Sequence, residues 1–175
     1  MRIPGRCWLW ISFLVLLTHP CVAGDDSATA DAPQPMLGIA GIRSSVMLAQ
    51  TRAREAKDHA LHAQQKARQH DGDISEGFGI SNYVGGDHYE GEQHRNRREG
   101  FGVNVYSNGD RYEGEWRHGK KNGYGVFYWS GGRRYEGACE DDNATGVGVL
   151  TWPDGRRYEG EFKAGRLNGQ GIMIE

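Results

Sequence analysis

The sequence predicts an all-β fold, a single-layer antiparallel meander or solenoid of 23-residue β-hairpin repeats, preceded by a signal peptide and an Ala-rich helix. Glycine is about twice as frequent as in typical proteins, with 27 residues in 175, which indicates many turns and short strands. Over residues 77–175 the chain aligns with itself at an offset of 23 residues. Each repeating unit contains two segments that alternate with the period of a β-strand.

The N-terminus is predicted to be a targeting segment followed by a linker. Residues 1–23 have a short basic start, an apolar run and small residues before Gly24, the pattern of a secretory signal peptide. The apolar run is shorter than the ~20 residues of a membrane span. We therefore expect cleavage and export, to the periplasm or out of the cell, with an uncleaved membrane anchor as the alternative. Residues 24–43, which are acidic and then proline-containing, are predicted to be a disordered linker.

Residues 44–70 are predicted to form the Ala-rich helix. They contain no Gly or Pro, and Ala49, Ala53, Ala56, Ala60, Ala63 and Ala67 recur in steps of three and four. Because alanine buries little apolar area, a strong coiled coil is not expected. We interpret the helix as a solvated stalk or an N-terminal lid on the domain. The alternative is a helix for self-association or for binding a partner.

The repeats are defined by columns of Tyr, Gly and a large aromatic residue. The array opens with a half repeat at Gly77, continues with three full units, and ends with a unit that lacks its closing turn. The defining residues are Tyr89, Gly91, Tyr112, Gly114, Trp116, Tyr135, Gly137, Tyr158, Gly160 and Phe162.

Strand alternation determines what each column is expected to do. Tyr112, Gly114 and Trp116 share one face of a strand, and we expect the rings to pack over the glycines. On the other face, the Glu column, which includes Glu113 and Glu136, is predicted to form a solvent-exposed ladder. Its expected partners are Arg111, Arg133, Arg134, Arg156 and Arg157. Dipeptides such as Asn108-Gly109, which join one unit to the next, predict two-residue turns.

The second unit resembles the MORN repeat (membrane occupation and recognition nexus), through Tyr112–Trp116, Gly119 and Asn122–Gly125. The fourth unit is similar. The first and third units depart from the pattern, because Gln93 and Cys139 replace the aromatic residue. The resemblance implies a binding or scaffolding module that associates with membranes, anionic phospholipids or protein partners.

No catalytic constellation stands out, so the chain is not expected to be an enzyme or to require a cofactor or metal. The Gly-x-Gly pairs lack the third glycine and the lysine of phosphate-binding loops. Glu55, His59 and His62 have helical spacing but are interpreted as solvated side chains. The net charge of −2 argues against a nucleic-acid partner.

Cys139 would be the only cysteine after signal-peptide cleavage. We interpret it as a small semi-buried hydrophobic residue, with an intermolecular disulfide as the alternative. Asn143 begins an N-glycosylation sequon, which matters only in a eukaryotic source.

Basic residues recur 23 positions apart in the predicted loops and should line one edge of the sheet. They are Arg95, Arg97, Arg98, Arg117, Lys120, Lys121, Lys163 and Arg166. The first hypothesis is a protein-interaction scaffold of the cell envelope or secretory space with an unidentified partner. The alternatives are binding to an anionic membrane surface through this edge, and binding of carbohydrate or cell wall through the aromatic rows. Self-association is also possible through the helix or the unpaired end strand.

Overall fold

The computed structural model describes residues 38–69 and 76–175, so the predicted signal peptide and most of the predicted linker lie outside the described residues. One helix, α1 (Ile39–Gln69), precedes nine strands. The strands are β1 (Glu76–Asn82), β2 (His88–His94), β3 (Arg97–Val105), β4 (Arg111–Arg117), β5 (Lys120–Tyr128), β6 (Arg134–Glu140), β7 (Asn143–Thr151), β8 (Arg157–Lys163) and β9 (Arg166–Ile174). Among the described residues, no helix is long and apolar enough to cross a membrane.

The nine strands form one open antiparallel sheet in which each strand pairs with the next along the chain. This confirms the predicted meander of hairpins. The half repeat supplies β1, which pairs with β2 and places Gly79 opposite Gly91. The same Gly–Gly pairing recurs in every later hairpin, for example between Gly114 and Gly125.

The turns between units differ from the prediction. The amide of Tyr106 donates to the carbonyl of Asp110, and the amide of Gly109 donates to the carbonyl of Tyr106, both at 2.9 Å. Only Gly109, with φ 84°, has a left-handed conformation in this loop. It is therefore a three-residue loop with a glycine bulge, and the predicted two-residue turn was wrong. Glycine serves at the bulge position, where φ must be positive.

Two-residue turns occur instead inside each unit. Arg117 pairs with Lys120, and the two residues between them, His118 and Gly119, have φ of 52° and 84°. Positive φ at both central residues is the type I′ geometry, which matches the twist of the paired strands. The equivalent first positions in the other units are Arg95, Asp141 and Ala164, all with positive φ.

The tyrosine rings lie over the paired glycines, as expected. Tyr112 is fully buried, and a Cβ added to Gly125 would lie 2.6 Å from its ring carbon Cζ. A Cβ on Gly114 would lie 2.7 Å from the Tyr112 hydroxyl. The glycine columns therefore make room for the rings, and any larger residue there would displace a ring that has no free space.

Helix α1 lies across the sheet and contacts all nine strands, so it is a lid on the sheet, as one of the two interpretations predicted, and not a solvated stalk. It begins at Ile39, so residues 39–43 of the predicted linker are helical. Their inclusion follows from packing, because Ile42 and Val46 are buried together with Val149 of β7. Its alanines face the sheet, and Ala53 and Ala60 are fully buried.

The helix gives the sheet two unlike faces. The helix face lies under α1 and carries the buried Glu90, Glu113, Glu136 and Glu159 together with Val103, Val126 and Val149. The aromatic face is the opposite one and carries Tyr89, Tyr112, Trp116, Tyr135, Tyr158 and Phe162.

Candidate functional site

The glutamate ladder is buried, which corrects the prediction of a solvent-exposed ladder. Glu90, Glu113, Glu136 and Glu159 expose only 3–9% of their surface. The reason is that α1 covers this face, and strand alternation alone does not reveal which face a helix will cover. Buried carboxylates require charged or hydrogen-bonding partners, and the helix supplies several of them.

Helix contacts follow the repeat in heptad steps. Gln50 Nε2 donates to Glu136 at 2.9 Å, Lys57 Nζ lies 3.3 Å from Glu113, and Gln64 donates to Glu90. Seven helical residues rise about 10.5 Å, and two strand spacings measure about 9.6 Å. One heptad of the helix therefore matches one hairpin of the sheet.

Further cations complete the ladder. Arg68 lies 2.8 Å from Glu90, and Arg54 lies 3.1 Å from Glu136. The strands add Arg111, Arg134 and Arg157, which pair with the glutamate two residues later at 2.6–2.8 Å. Those three arginines were among the predicted partners. The prediction was wrong for the other two arginines, Arg133 and Arg156. They belong to the turns between units, where Arg156 pairs with Asp154.

The contacts of Glu90 favour its ionised form. Burial opposes ionisation, but hydrogen bonds from Arg68, Gln64 and His88 outweigh it and hold the pKa of Glu90 below its usual value. A hydrogen bond with Tyr128, opposed by burial and reinforced by Glu113, raises the pKa of Lys57. The helix is thus attached by alanine contacts and by ion pairs, among which the contacts of Arg68 with Glu90 favour the charged forms of both groups.

The aromatic face is organised as a series of edge-to-face ring contacts. Trp116 packs between Tyr89 and Tyr112, with ring centroids 5.5 and 5.2 Å away. Phe162 packs in the same way between Tyr135 and Tyr158, at 5.0 and 5.5 Å. Such T-shaped contacts are favourable beyond the area they bury.

A second row of apolar side chains lies over these rings and is only half-buried. It consists of Tyr106, Phe127, Trp129, Ala144, Leu150 and Trp152. No described element covers this row, because α1 occupies the opposite face. A contiguous half-exposed apolar surface of this kind is typical of an interaction site.

The third unit interrupts the ring series. Cys139 occupies the place of Trp116, and Ala144 occupies the place that Lys121 has in the second unit. A cavity of about 290 Å³ opens there, lined mainly by Phe127, Trp129, Tyr135, Leu150 and Phe162. Cys139 is buried, and burial raises the pKa of its thiol to about 11. Its thiol therefore stays neutral and packs as a small side chain.

The predicted basic edge is only partly assembled. Arg98 and Lys121 lie instead over rings of the aromatic face, where the Arg98 guanidinium is 4.4 Å from the Trp116 centroid and the Lys121 ammonium is 5.1 Å from the Phe127 centroid. Lys120 pairs with Asp141 at 3.3 Å. The exposed cations that remain at or beside the two-residue turns are Arg95, Arg97, Arg117, Lys163 and Arg166.

Within residues 38–69 and 76–175, no group of three side chains is placed to hold a metal ion. Of the helical trio Glu55, His59 and His62, the His59 ring lies against Phe101, with centroids 4.9 Å apart.

The fold and the uncovered face define a single-layer sheet of hairpin repeats with one face available for contact. Comparison with known families assigns those repeats. The MORN repeat model matches four segments, residues 89–111, 112–132, 135–156 and 158–174. The chain therefore carries four MORN repeats, and strand β1 precedes the first of them. No curated protein matches the chain.

Proposed function

We propose that this chain is a non-catalytic protein-binding scaffold of the cell envelope or secretory space, which presents its aromatic face to a protein partner. One observation carries the proposal. The sheet has a single layer, and α1 covers one face while the half-exposed row over the rings is covered by no described residue. Interfaces are enriched in aromatic residues and in arginine, and this face carries its rings together with the guanidinium groups of Arg98, Arg133 and Arg156.

The carbohydrate alternative is less well supported by the same face. A sugar ring stacks on the flat side of an exposed indole. The Arg133 guanidinium lies 4.8 Å from the Trp129 centroid, and the Arg156 guanidinium lies 5.7 Å from the Trp152 centroid. Each guanidinium occupies one side of its ring, which favours a protein partner over a sugar.

The membrane alternative rests on the five exposed cations at the turn edge. Each could contribute ~1 kcal/mol near an anionic surface. The row is broken at the third unit, where Asp141 pairs with Lys120 and Asp142 lies 3.6 Å from Lys121. Lipid binding is therefore a second candidate, which the same experiment tests.

The test is a pull-down with the immobilised full chain, from an envelope extract of the source cells and against anionic phosphatidylserine vesicles, each at low and high salt. We expect a defined protein to be captured at high salt and to bind again when purified. The test variant is Trp129→Ala with Trp152→Ala, on the aromatic face. The matched control is Met47→Ala with Leu48→Ala, two exposed residues of α1.

Loss of the partner with the tryptophan variant, but not with the helix variant, would support the proposal. Loss with the helix variant alone would contradict it and assign binding to α1. Capture by vesicles only at low salt, removed by Arg117→Ala with Arg166→Ala, would replace it with the membrane function, because exposed charges are screened by salt.

A further inference from the structure

The cavity in the third unit lies where the repeating pattern of the aromatic face is incomplete. In the second unit Trp116 fills the space between two tyrosines, and Arg98 of the first unit lies over its ring. In the third unit the ring is replaced by Cys139, and in the fourth, Phe162 faces Ala144 instead of a cation. Both truncated side chains line the same cavity.

One of the two tyrosines that would contact a ring at position 139, Tyr135, borders the cavity, whereas the other, Tyr112, does not line it. Phe127 and Phe162 add to the aromatic lining of the cavity, in a face where rings meet edge-to-face. Its volume of about 290 Å³ lies just below the range of about 300–1,000 Å³ typical of small-molecule sites. The cavity therefore has the size and lining for one large side chain rather than for an extended ligand.

The charged residues that line the cavity, Lys121, Arg133 and Asp142, leave a net positive charge. Lys121 is largely buried, at 13% exposure, and is paired with Asp142 at 3.6 Å. Arg133 is exposed and lies at the rim against Trp129. The charge of Arg133 helps to lower the pKa of Asp110, but no described carboxylate lies within 4.0 Å of its guanidinium. A ligand that carries a carboxylate beside its apolar group would neutralise this charge.

We propose that this cavity is a side-chain pocket which binds an aromatic residue of a protein partner, with an adjacent carboxylate of that partner paired to Arg133. The partner ring lies against Tyr135, beside the place that Trp116 has in the second unit. This proposal rests on the proposed function, because it names the chemistry that the aromatic face recognises. It specifies a segment with an aromatic residue next to Asp, Glu or a C-terminal carboxylate.

The test uses N-acetyl-tryptophan, which has an indole and a carboxylate, and N-acetyl-tryptophanamide, which lacks the carboxylate. Each is titrated into the isotope-labelled full chain and followed by amide chemical shifts. We expect shifts centred on Trp129, Ala144 and Phe162, with a dissociation constant on the order of 1 mM, as for a fragment with few contacts. The amide should bind up to about five-fold more weakly, the factor of an exposed ion pair.

Cys139→Trp restores the residue of the second unit and should abolish the shifts, whereas Cys139→Ala, the matched control, should retain them. If Cys139→Trp fails to fold, Ala144→Leu serves the same purpose, because Leu167 has this position in the fourth unit. Arg133→Gln should reduce the affinity for N-acetyl-tryptophan to that for the amide.

No shifts, or shifts that persist in the Cys139→Trp or Ala144→Leu variant, would overturn the pocket. Equal affinity for the acid and the amide would overturn the role of Arg133. Tighter binding of decanoate at the same residues would overturn the peptide assignment in favour of an acyl chain.

The partner pull-down separates the two proposals. Capture that depends on Trp129 and Trp152 but survives Cys139→Trp would leave the aromatic face as the binding surface and overturn only the pocket. If the Trp129→Ala, Trp152→Ala variant captures the same proteins as the unaltered chain, while the unaltered chain still binds N-acetyl-tryptophan, the scaffold function is overturned and a small-ligand site remains.

Discussion

The two faces of the sheet come from the same repeat, yet they are completed in opposite ways. The helix face is covered by α1 of the same chain. The alanines of α1 pack against the sheet, and its charged side chains pair with the glutamates in register with the repeat. On the aromatic face, the rings pack against one another and leave a half-exposed outer row. The difference indicates that one face of this array is satisfied within the chain, while the other is available to a partner.

If the ring contacts hold the aromatic face together, removing a central ring should lower the free energy of unfolding more than any other change proposed here. Trp116→Ala deletes a ring that contacts Tyr89 and Tyr112 and leaves a cavity, so we expect a loss of roughly 3–5 kcal/mol in the free energy of unfolding. Denaturant unfolding followed by circular dichroism measures it. Trp152→Ala, at the half-exposed row, is the control and should cost clearly less. Equal losses would show that the ring series is not the core.

The second-largest loss of stability is expected when a glycine of the paired columns is replaced. In Gly125→Ala the new methyl group would lie 2.6 Å from Tyr112 Cζ and 2.8 Å from the carbonyl oxygen of Glu113. Since the ring is fully buried, we expect a loss near the upper end of overpacking, about 3 kcal/mol. Gly131→Ala meets nothing within 4 Å and should change the melting temperature little. A tolerated Gly125→Ala would contradict the packing of Tyr112.

The third prediction concerns the helix face. Ala60→Leu places a large side chain between α1 and the sheet, and because the helix can move outward we expect a smaller cost, about 1–2 kcal/mol. Hydrogen exchange of the α1 amides should accelerate while that of the strands changes little. Ala40→Leu, at an exposed helix position, is the control. Unchanged protection in Ala60→Leu would argue against close helix–sheet contact.

The smallest expected effect is a local loss of stability around Glu90 at acidic pH. Because the pKa of Glu90 is lowered in the fold, its ionised form stabilises the fold above its usual value of about 4.5, and this contribution is lost as the pH falls below that value. We expect the protection factors of the amides in the C-terminal half of α1, which are exchange rates corrected for the intrinsic effect of pH, to fall in that range. Glu90→Gln keeps the shape without the titration and should weaken this local change. A loss of protection of the same size in both proteins would exclude Glu90 as its source.

Much of the sheet could be predicted from the sequence, because its period repeats the same local chemistry. The alternation of Tyr112, Gly114 and Trp116 places rings and glycines on one face, and the structure has them there. The type of each turn could not be predicted as easily. Glycine at 109 fits either a two-residue turn or a bulge, and the register of the flanking strands decides between them.

A lid on the domain was one of the two interpretations of the helix, and the structure agrees with it. The course of the helix across the whole sheet was not predicted, since alanine was weighed by the area it buries and not by the close approach it permits. The spacing of the polar helix residues and of the glutamates indicates this position of the helix. Gln50, Lys57 and Gln64 are seven residues apart, and they meet Glu136, Glu113 and Glu90, which are 23 residues apart. Comparing the heptad rise with the hairpin width would have suggested that the helix lies across the sheet.

The central claim, that α1 covers the helix face and leaves the aromatic face open, is tested most directly by nuclear Overhauser effects in the full chain. Cross-peaks are expected between the rings of His59 and Phe101 and between the methyl groups of Val46 and Val149, near the middle and one end of the helix. Both cross-peaks, with protected α1 amides, are the predicted result. Their absence, or cross-peaks from α1 to Trp129 and Trp152 instead, would contradict the account.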